Sequence, residues 1–218
     1  MKRRREKIGL LDLIALVADK DMLFALEGLL ARQPDLETHT IRSKVLPHPD
    51  HDPGVLNRCH EFLRPYIRLA RYALVLFDRE GCGRLDSRDD LEELVESRLA
   101  QNGWVNRCAA VAIDPVLEVW FWGDPLEVRQ ALGWNQDAAL LNEWLLRRGY
   151  LRPGQKKPHR PKDAVRDAWR LANIKPSSSH FGSFARTVNF RGCTDLAFGK
   201  LRRVLREWFP LENSREEA

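Results

Sequence analysis

Tyr72-Ala73-Leu74-Val75-Leu76-Phe77-Asp78-Arg79-Glu80-Gly81-Cys82-Gly83 is the stretch of sequence that decides the fold. Its first six residues are apolar or aromatic without a break, as expected of a strand buried on both faces of a parallel sheet. Asp78 follows directly and Glu80 comes two residues later. Ligand sites in open α/β sheets lie at the carboxyl ends of strands. We therefore predict that both acids belong to such a site and that their carboxylates bind the same hard cation, such as Mg²⁺. The alternative is that Asp78 caps the next turn and Glu80 is solvated.

Three other segments have the composition of strands, namely residues 10–17, 40–46 and 107–113. Segments with helical periodicity separate them, and Asp21 is expected to cap the first of these helices. Alternation of strand and helix with right-handed crossovers predicts an α/β fold with a mostly parallel, four-stranded sheet flanked by helices.

The rest of the chain has helical patterns and a basic composition. We predict an α/β domain over residues 8–124 and a helical, basic C-terminal extension over residues 125–210 that packs on it. Residues 1–7 and 211–218 are expected to be flexible ends.

The positive charge of the chain is concentrated in its C-terminal part. Residues 147–206 carry 16 Lys and Arg against 3 Asp and Glu, although the whole chain has a net charge of only +5. Such density suits contacts with a phosphate backbone, the alternative being a basic surface that is merely soluble. The candidate nucleic-acid-binding residues are Lys156, Lys157, Arg160, Lys162, Arg202, Arg203 and Arg206.

Cysteine spacing and hydropathy limit the compartment and the kind of partner. The four cysteines lie far apart, without a Cys-x-x-Cys pair, which favours free thiols in a reducing cytoplasm over a zinc site. No apolar run approaches the length of about 20 residues that a membrane span needs.

The loop of residues 47–54 contains two His and two Asp, but its prolines and glycine favour an exposed turn over a metal site.

Glu118 is the third acid of interest. It stands among Leu117, Val119, Trp120 and Phe121, where a buried carboxylate is costly unless it is paired or bound to a metal. Its position on an exposed helical stripe is the alternative.

These features together resemble the Toprim fold, a metal-binding α/β domain of topoisomerases, primases and overcoming-lysogenization-defect nucleases. More specifically, VAIDPVLEVWFWGDP at residues 111–125 resembles the acid-Leu-Glu-x-Trp signature of a bacterial Toprim-related family of unknown function. TDLAFGKLRRVL at residues 194–205 resembles the closing helix of that family. Members are often encoded beside ATPases in anti-phage defence islands, including methylation-associated ones.

The resemblance implies a site that binds Mg²⁺ or Mn²⁺. Asp78 and Glu80 match the Asp-x-Asp pair with Glu in second place, and Glu118 matches the acid before Trp. Asp21 matches the later acid of the loop after strand one. Toprim catalysts place a Glu directly after that strand, where this chain has Ala18 followed by Asp19.

Three functions are compatible with these observations. The first is a Mg²⁺-dependent nuclease in a defence system, with Asp78, Glu80, Glu118 and Asp19 in catalysis and Asp78, Glu80 and Asp21 on the metal. The second is a catalytically degenerate Toprim-like subunit that binds nucleic acid or acts as a scaffold. The third is a partner-binding or toxin–antitoxin component whose Trp-rich half packs on another protein, the alternative being that these tryptophans belong to the core. The tryptophans of that surface would be Trp104, Trp120, Trp122, Trp134 and Trp144. The expected partners of the chain are nucleic acid and an ATPase or another subunit of a defence system.

Overall fold

The computed structural model describes residues 10–123, 125–134, 137–189 and 193–211, with only the backbone described for residues 125, 126 and 138. Within these ranges the chain has the predicted α/β fold, consistent with a Toprim-like core. Its sheet has four strands, all parallel, in the order β2-β1-β3-β4. The strands are β1 (Leu11–Val17), β2 (Ser43–Pro47), β3 (Ala70–Asp78) and β4 (Cys108–Ile113).

Helices cover both faces of the sheet. They are α1 (Lys20–Leu30), α2 (Gln33–Leu36), α3 (His51–Leu63), α4 (Arg88–Leu99), α5 (Pro125–Leu132), α6 (Ala138–Arg147), α7 (Pro161–Leu171), α8 (Ser178–Thr187) and α9 (Leu196–Trp208). Right-handed crossovers place α1 on one face and α3 and α4 on the other. The last helix, α9, packs against β4 and α2.

The two central strands explain the apolar runs of the sequence. β1 and β3 each have neighbours on both sides and helices above and below, so their side chains are buried with almost no alternation. The predicted boundaries shift by a few residues, since β2 begins at Ser43 and α3 ends at Leu63. The prediction that Asp21 caps α1 is wrong: Asp19 is the N-cap, because its backbone is extended and its Oδ1 accepts a hydrogen bond from Met22 N at 2.9 Å.

The β4 edge of the sheet is closed by side chains. Glu96 Oε1 accepts a hydrogen bond from Ala110 N at 2.9 Å, and Glu92 Oε1 accepts one from Ala112 N at 3.0 Å. Lys200 of α9 bridges both carboxylates, at 2.7 and 3.0 Å. The outward N–H groups of Ala110 and Ala112 in this edge strand are therefore occupied, which hinders the addition of another strand.

The helical extension packs on the α/β core at two places. α8 lies along α1, where a Cβ on Gly28 would come within 2.7 Å of the Gly182 carbonyl oxygen, so the close approach depends on glycine. α7 packs against a short 3-10 helix, Leu117–Phe121, that follows β4. This second contact brings the start of α7 to the carboxyl ends of the strands.

Most of the tryptophans proposed for a partner surface lie in the core. Trp104, Trp122 and Trp144 are buried, and Trp120 and Trp134 are partly buried against the core. The structure therefore gives no support to a Trp-rich contact surface. No helix in the described ranges is long and apolar enough to cross a membrane.

Candidate active site

The carboxyl ends of the two central strands meet at the point where the chain connections diverge. β1 continues through α1 to β2 on one side, whereas β3 continues through α4 to β4 on the other. This arrangement is the topological switch point at which open α/β sheets bind ligands. Asp19 follows β1 and Asp78 ends β3, so both lie at this point.

Asp78 is fixed by hydrogen bonds to two other segments. It is 5% exposed, its Oδ1 accepts a hydrogen bond from Leu117 N at 2.8 Å, and its own N–H donates to Asp52 Oδ1 at 2.7 Å. The first bond ties β3 to the 3-10 helix after β4, and the second ties it to α3. Oδ2 of Asp78 makes no hydrogen bond within the described part of the chain, so it is the oxygen available to a ligand.

Asp52 is a member of the site that the sequence analysis missed. The loop of residues 47–54 was expected to be an exposed turn, but α3 begins at His51 and Asp52 stands in its first turn, directed at the end of β3. Gly81 makes room for it, since a Cβ at that position would overlap the Asp52 carboxylate. A helix start in a Pro-rich loop, opposite a glycine that follows a strand, is the signal that could have found it.

Glu118 has an oxygen without a partner. The residue is 5% exposed, and its Oε2 is buried without a hydrogen bond to any described residue. A buried carboxylate oxygen without a donor costs free energy comparable to a lost charge-assisted hydrogen bond, roughly 1–3 kcal/mol or more. A bound ligand, an ordered water or a proton on the carboxyl would remove this cost.

Asp78 interacts with the carboxylates of Glu118, which is buried, and Asp52, which is partly buried. Burial raises the pKa of Asp78 well above its ordinary value, and the charges of Asp52 and Glu118 raise it further. Burial also raises the pKa of Asp52 and that of Glu118. The charge of Asp19 acts in the same direction on all three groups.

Lys162 is the positive charge that opposes this repulsion. It stands in the first turn of α7 and lowers the pKa of Asp52, Asp78 and Glu118 through space. It makes no direct ion pair with a carboxylate in the described ranges, so its ammonium group is shared among the three acids. The attraction of Lys162 is smaller than the effect of burial and repulsion, since the pKa of each of the three acids stays raised.

The predicted acids divide into two groups. Asp19, Asp21, Asp78 and Glu118 lie near enough to one another for their charges to interact. Glu80 is exposed at the start of a 3-10 turn, Glu80–Cys82, where its N–H donates to the Pro115 carbonyl oxygen at 3.1 Å. Its carboxylate makes no hydrogen bond or ion pair with a described residue, because the chain leaves the strand geometry after Asp78.

Four of the predicted basic residues lie at or near the start of α7. Lys162 faces the acids, and Arg160 lies 5.2 Å from the centre of the Tyr150 ring and 3.6 Å from Asp163. Lys156 and Lys157 line a cavity of about 560 Å³ beside the 3-10 helix. These four cations could contact a phosphate backbone that passes the site.

The other three basic residues belong to α9, which leads away from the site. Arg202 and Arg206 approach Glu37 at 3.9 and 2.6 Å, and Arg206 Nε also donates to the Leu36 carbonyl oxygen at 3.3 Å. Their charge is partly compensated within the fold. Arg203 is exposed on the same helix.

The donor set fits a hard divalent cation, although it is not a ready-made ligand cage. The available atoms are carboxylate oxygens, which Mg²⁺ and Mn²⁺ prefer, and one of them is the orphaned Oε2 of Glu118. In the described ranges no three His, Cys, Asp or Glu side chains are already gathered as a metal-binding group. Mg²⁺ usually keeps several waters and takes only one or two protein carboxylates together with substrate phosphates, so a looser acidic site suits it.

No protein-family model, curated protein or solved structure matches the chain. The resemblance to a Toprim-related family therefore stays a prediction from the motifs, and the geometry of the site carries the functional argument.

Proposed function

We propose that this chain is a divalent-metal-dependent hydrolase of phosphodiester bonds in nucleic acid, acting in a bacterial anti-phage defence system. The defence context comes from the family resemblance. The reaction class is supported by one observation above all, the convergence of Asp19, Asp52, Asp78 and Glu118 at the switch point of a parallel sheet.

Repulsion among these acids supports a cation as the ligand. The raised pKa values of the buried Asp78 and Glu118 and the partly buried Asp52 show that their charged forms are unfavourable together, and a bound cation would relieve that repulsion and keep the carboxylates ionised. Asp78 and either Asp19 or Asp21 would hold the cation, with Asp52 supporting Asp78 from behind. The cation would activate a water and neutralise charge on the scissile phosphate.

Two side chains of the chain itself have roles in hydrolysis. Glu118 Oε2 is the oxygen free to accept a proton from an attacking water, and its raised pKa brings it closer to the operating pH that favours a general base. Lys162 is placed to contact a non-bridging phosphate oxygen once substrate phosphate enters beside the acids. Glu118 thereby supplies the base that Ala18 cannot provide at the end of β1.

The test is cleavage of labelled single-stranded and double-stranded DNA and RNA with Mg²⁺ or Mn²⁺. Asp78→Asn and Glu118→Gln keep the shape of each side chain and are expected to lower the rate by about 100-fold or more, as is typical for loss of a general base or metal ligand. Glu93→Gln, an exposed acid on α4 away from the site, is the matched control and should cleave like wild type. Equal cleavage by Asp78→Asn and Glu93→Gln would contradict the proposal.

A catalytically inactive nucleic-acid-binding or scaffold subunit is the second candidate. It is favoured by Ala18, which is fully buried and brings no carboxylate to the position of the Toprim Glu. Under this alternative the acids and Lys162 form a structural charge cluster. The wild-type chain would then bind nucleic acid in EDTA as well as in Mg²⁺ and would cleave none of the four substrates.

A further inference from the structure

The opposite end of the sheet, where the strands begin, carries a group of exposed cations. These are Arg42, Lys44, Arg64, Arg68 and Arg71, which we call the amino-end basic edge. Arg42 immediately precedes β2, Lys44 lies within it, and Arg71 is near the start of β3. The other two lie in the connection between α3 and β3.

The segment of residues 64–71 carries three of these arginines, and its backbone is held by Arg107. Arg107 Nη1 donates to the Ala70 carbonyl oxygen at 2.9 Å, and Arg107 Nη2 donates to the Ile67 carbonyl oxygen at 2.9 Å. The Arg107 guanidinium also lies 4.3 Å from the centre of the buried Trp104 ring. The backbone of residues 67–71 is therefore fixed by a cation that itself adds to the positive field.

Within the described part of the chain, few carboxylates pair with this edge. Arg42 pairs with Asp12 at 3.2 Å. Burial raises the pKa of Asp12, but the hydrogen bonds and charge of Arg42, with the charge of Arg71, bring it below its ordinary value. Arg64, Arg68 and Arg71 make no ion pair with a carboxylate in the ranges that the structure describes. Their guanidinium groups are free to bind an external anion.

The chemistry of these side chains favours phosphodiester groups as the external anion. Four of the five cations are arginines, whose planar fork binds phosphate oxygens through two parallel hydrogen bonds. Among the described residues beside these cations, the exposed large aliphatic side chains are Leu10 and Leu69, each about half exposed, which is little for insertion into a lipid surface.

We propose that the amino-end basic edge binds the phosphate backbone of nucleic acid. The choice of nucleic acid over other polyanions rests on the proposed function, whereas the existence of an anion-binding surface does not. β3 has nine residues, of which Arg71 is the second and Asp78 the last, so the surface anchors a strand at the opposite end of β3 from the acids and adds to the contacts around α7.

The test is fluorescence anisotropy with 30-nucleotide DNA and RNA in EDTA, at several salt concentrations. The triple variant R64A/R68A/R71A is expected to bind at least 10-fold more weakly, and its plot of log K against log salt should lose about three units of slope, one for each phosphate contact. The control R58A/R84A/R147A removes the same charge from scattered exposed positions and should bind like wild type. R64K/R68K/R71K should restore the salt slope, because the charge returns, but only part of the affinity, because lysine lacks the two parallel hydrogen bonds of the guanidinium.

Two results would overturn the proposal. One is equal binding by the two alanine triples, which would make the edge a solvated face. The other is that R64A/R68A/R71A binds nucleic acid like wild type but loses binding to vesicles of phosphatidylserine and phosphatidylcholine. That result would assign the edge to a lipid surface. Asp78→Asn in the same assay keeps a failure of this proposal distinct from a failure of the proposed function. EDTA removes divalent cations, so this variant should bind nucleic acid like wild type whether or not the wild-type chain cleaves it.

Discussion

The two ends of the sheet carry opposite charge in opposite surroundings. At the carboxyl end, Asp52, Asp78 and Glu118 are held together by burial and hydrogen bonds, and each has a raised pKa. At the amino end, Arg64 and Arg68 stand in solvent. Burial, more than charge, therefore decides which of these groups affect stability. The acids repel one another strongly because the local dielectric is low, whereas water screens the repulsion among the arginines.

Cation binding should produce the largest difference between the two ends. We expect Mn²⁺ at about 100 times its Kd to stabilise the wild-type fold by about 2.7 kcal/mol, because the ion binds only the folded arrangement of acids. Asp78→Asn should lose most of this gain, and R64A/R68A/R71A should keep it. Thermal unfolding with and without Mn²⁺, supported by calorimetry, measures the effect. An equal gain in Asp78→Asn would place the cation elsewhere.

A side chain added at Gly81, against the Asp52 carboxylate, should have the next largest effect on the free energy of unfolding. Gly81→Ala places a Cβ against the Asp52 carboxylate and should displace it from Asp78 N, with a loss of about 1–2 kcal/mol of unfolding free energy. Gly199→Ala is the control, since a Cβ there meets no atom within 4 Å and Gly199 lies on the exposed side of α9. It should be neutral or stabilise by about 0.5–1 kcal/mol. Urea unfolding compares the two, and equal effects would show that Asp52 tolerates displacement.

The pH dependence of stability should distinguish the acidic end. Because burial and its neighbours raise the pKa of Asp78, the folded state holds that proton more tightly than the unfolded chain. The stabilisation that comes from this tighter proton binding is complete below the pKa of Asp78 in the unfolded chain, about 4. It is lost as the pH rises through the pKa of Asp78 in the folded state. Asp78→Asn removes this titration and should gain stability relative to wild type as pH rises from about 4 to about 8. Urea midpoints across that range provide the measurement, and a constant difference between the proteins would contradict it.

The smallest effect is expected at the amino end. Each of Arg64→Ala, Arg68→Ala and Arg71→Ala should change the unfolding free energy by less than about 0.5 kcal/mol, because no described residue pairs with these side chains. Urea unfolding of the single variants checks this. A loss above 1 kcal/mol in any of them would show that the arginine supports the fold, and its effect on nucleic-acid binding could then be indirect.

The sequence predicted the scaffold better than the site. Long apolar runs such as residues 72–77 identified the buried strands, and their alternation with helices predicted the parallel sheet that the structure has. Helix starts were less secure, as Asp19 and not Asp21 caps α1. At the site, the spacing of Asp78 and Glu80 suggested a pair, but the turn after β3 separates their side chains. The signal for Asp52 combines a helix start in one segment with Gly81 in another, so the local pattern around Asp52 was not sufficient to identify it.

What the amino-acid sequence determined by itself was the period and length of its apolar segments, and hence strands, helices and the α/β class. Those properties depend on residues near one another along the chain, which share a helix face or a strand. Only the tertiary structure decided that Asp52, Asp78, Glu118 and Lys162 face one another, because they come from segments up to 110 positions apart. Their burial and raised pKa values arise from that meeting, since desolvation and repulsion depend on distance in space and not on distance in sequence.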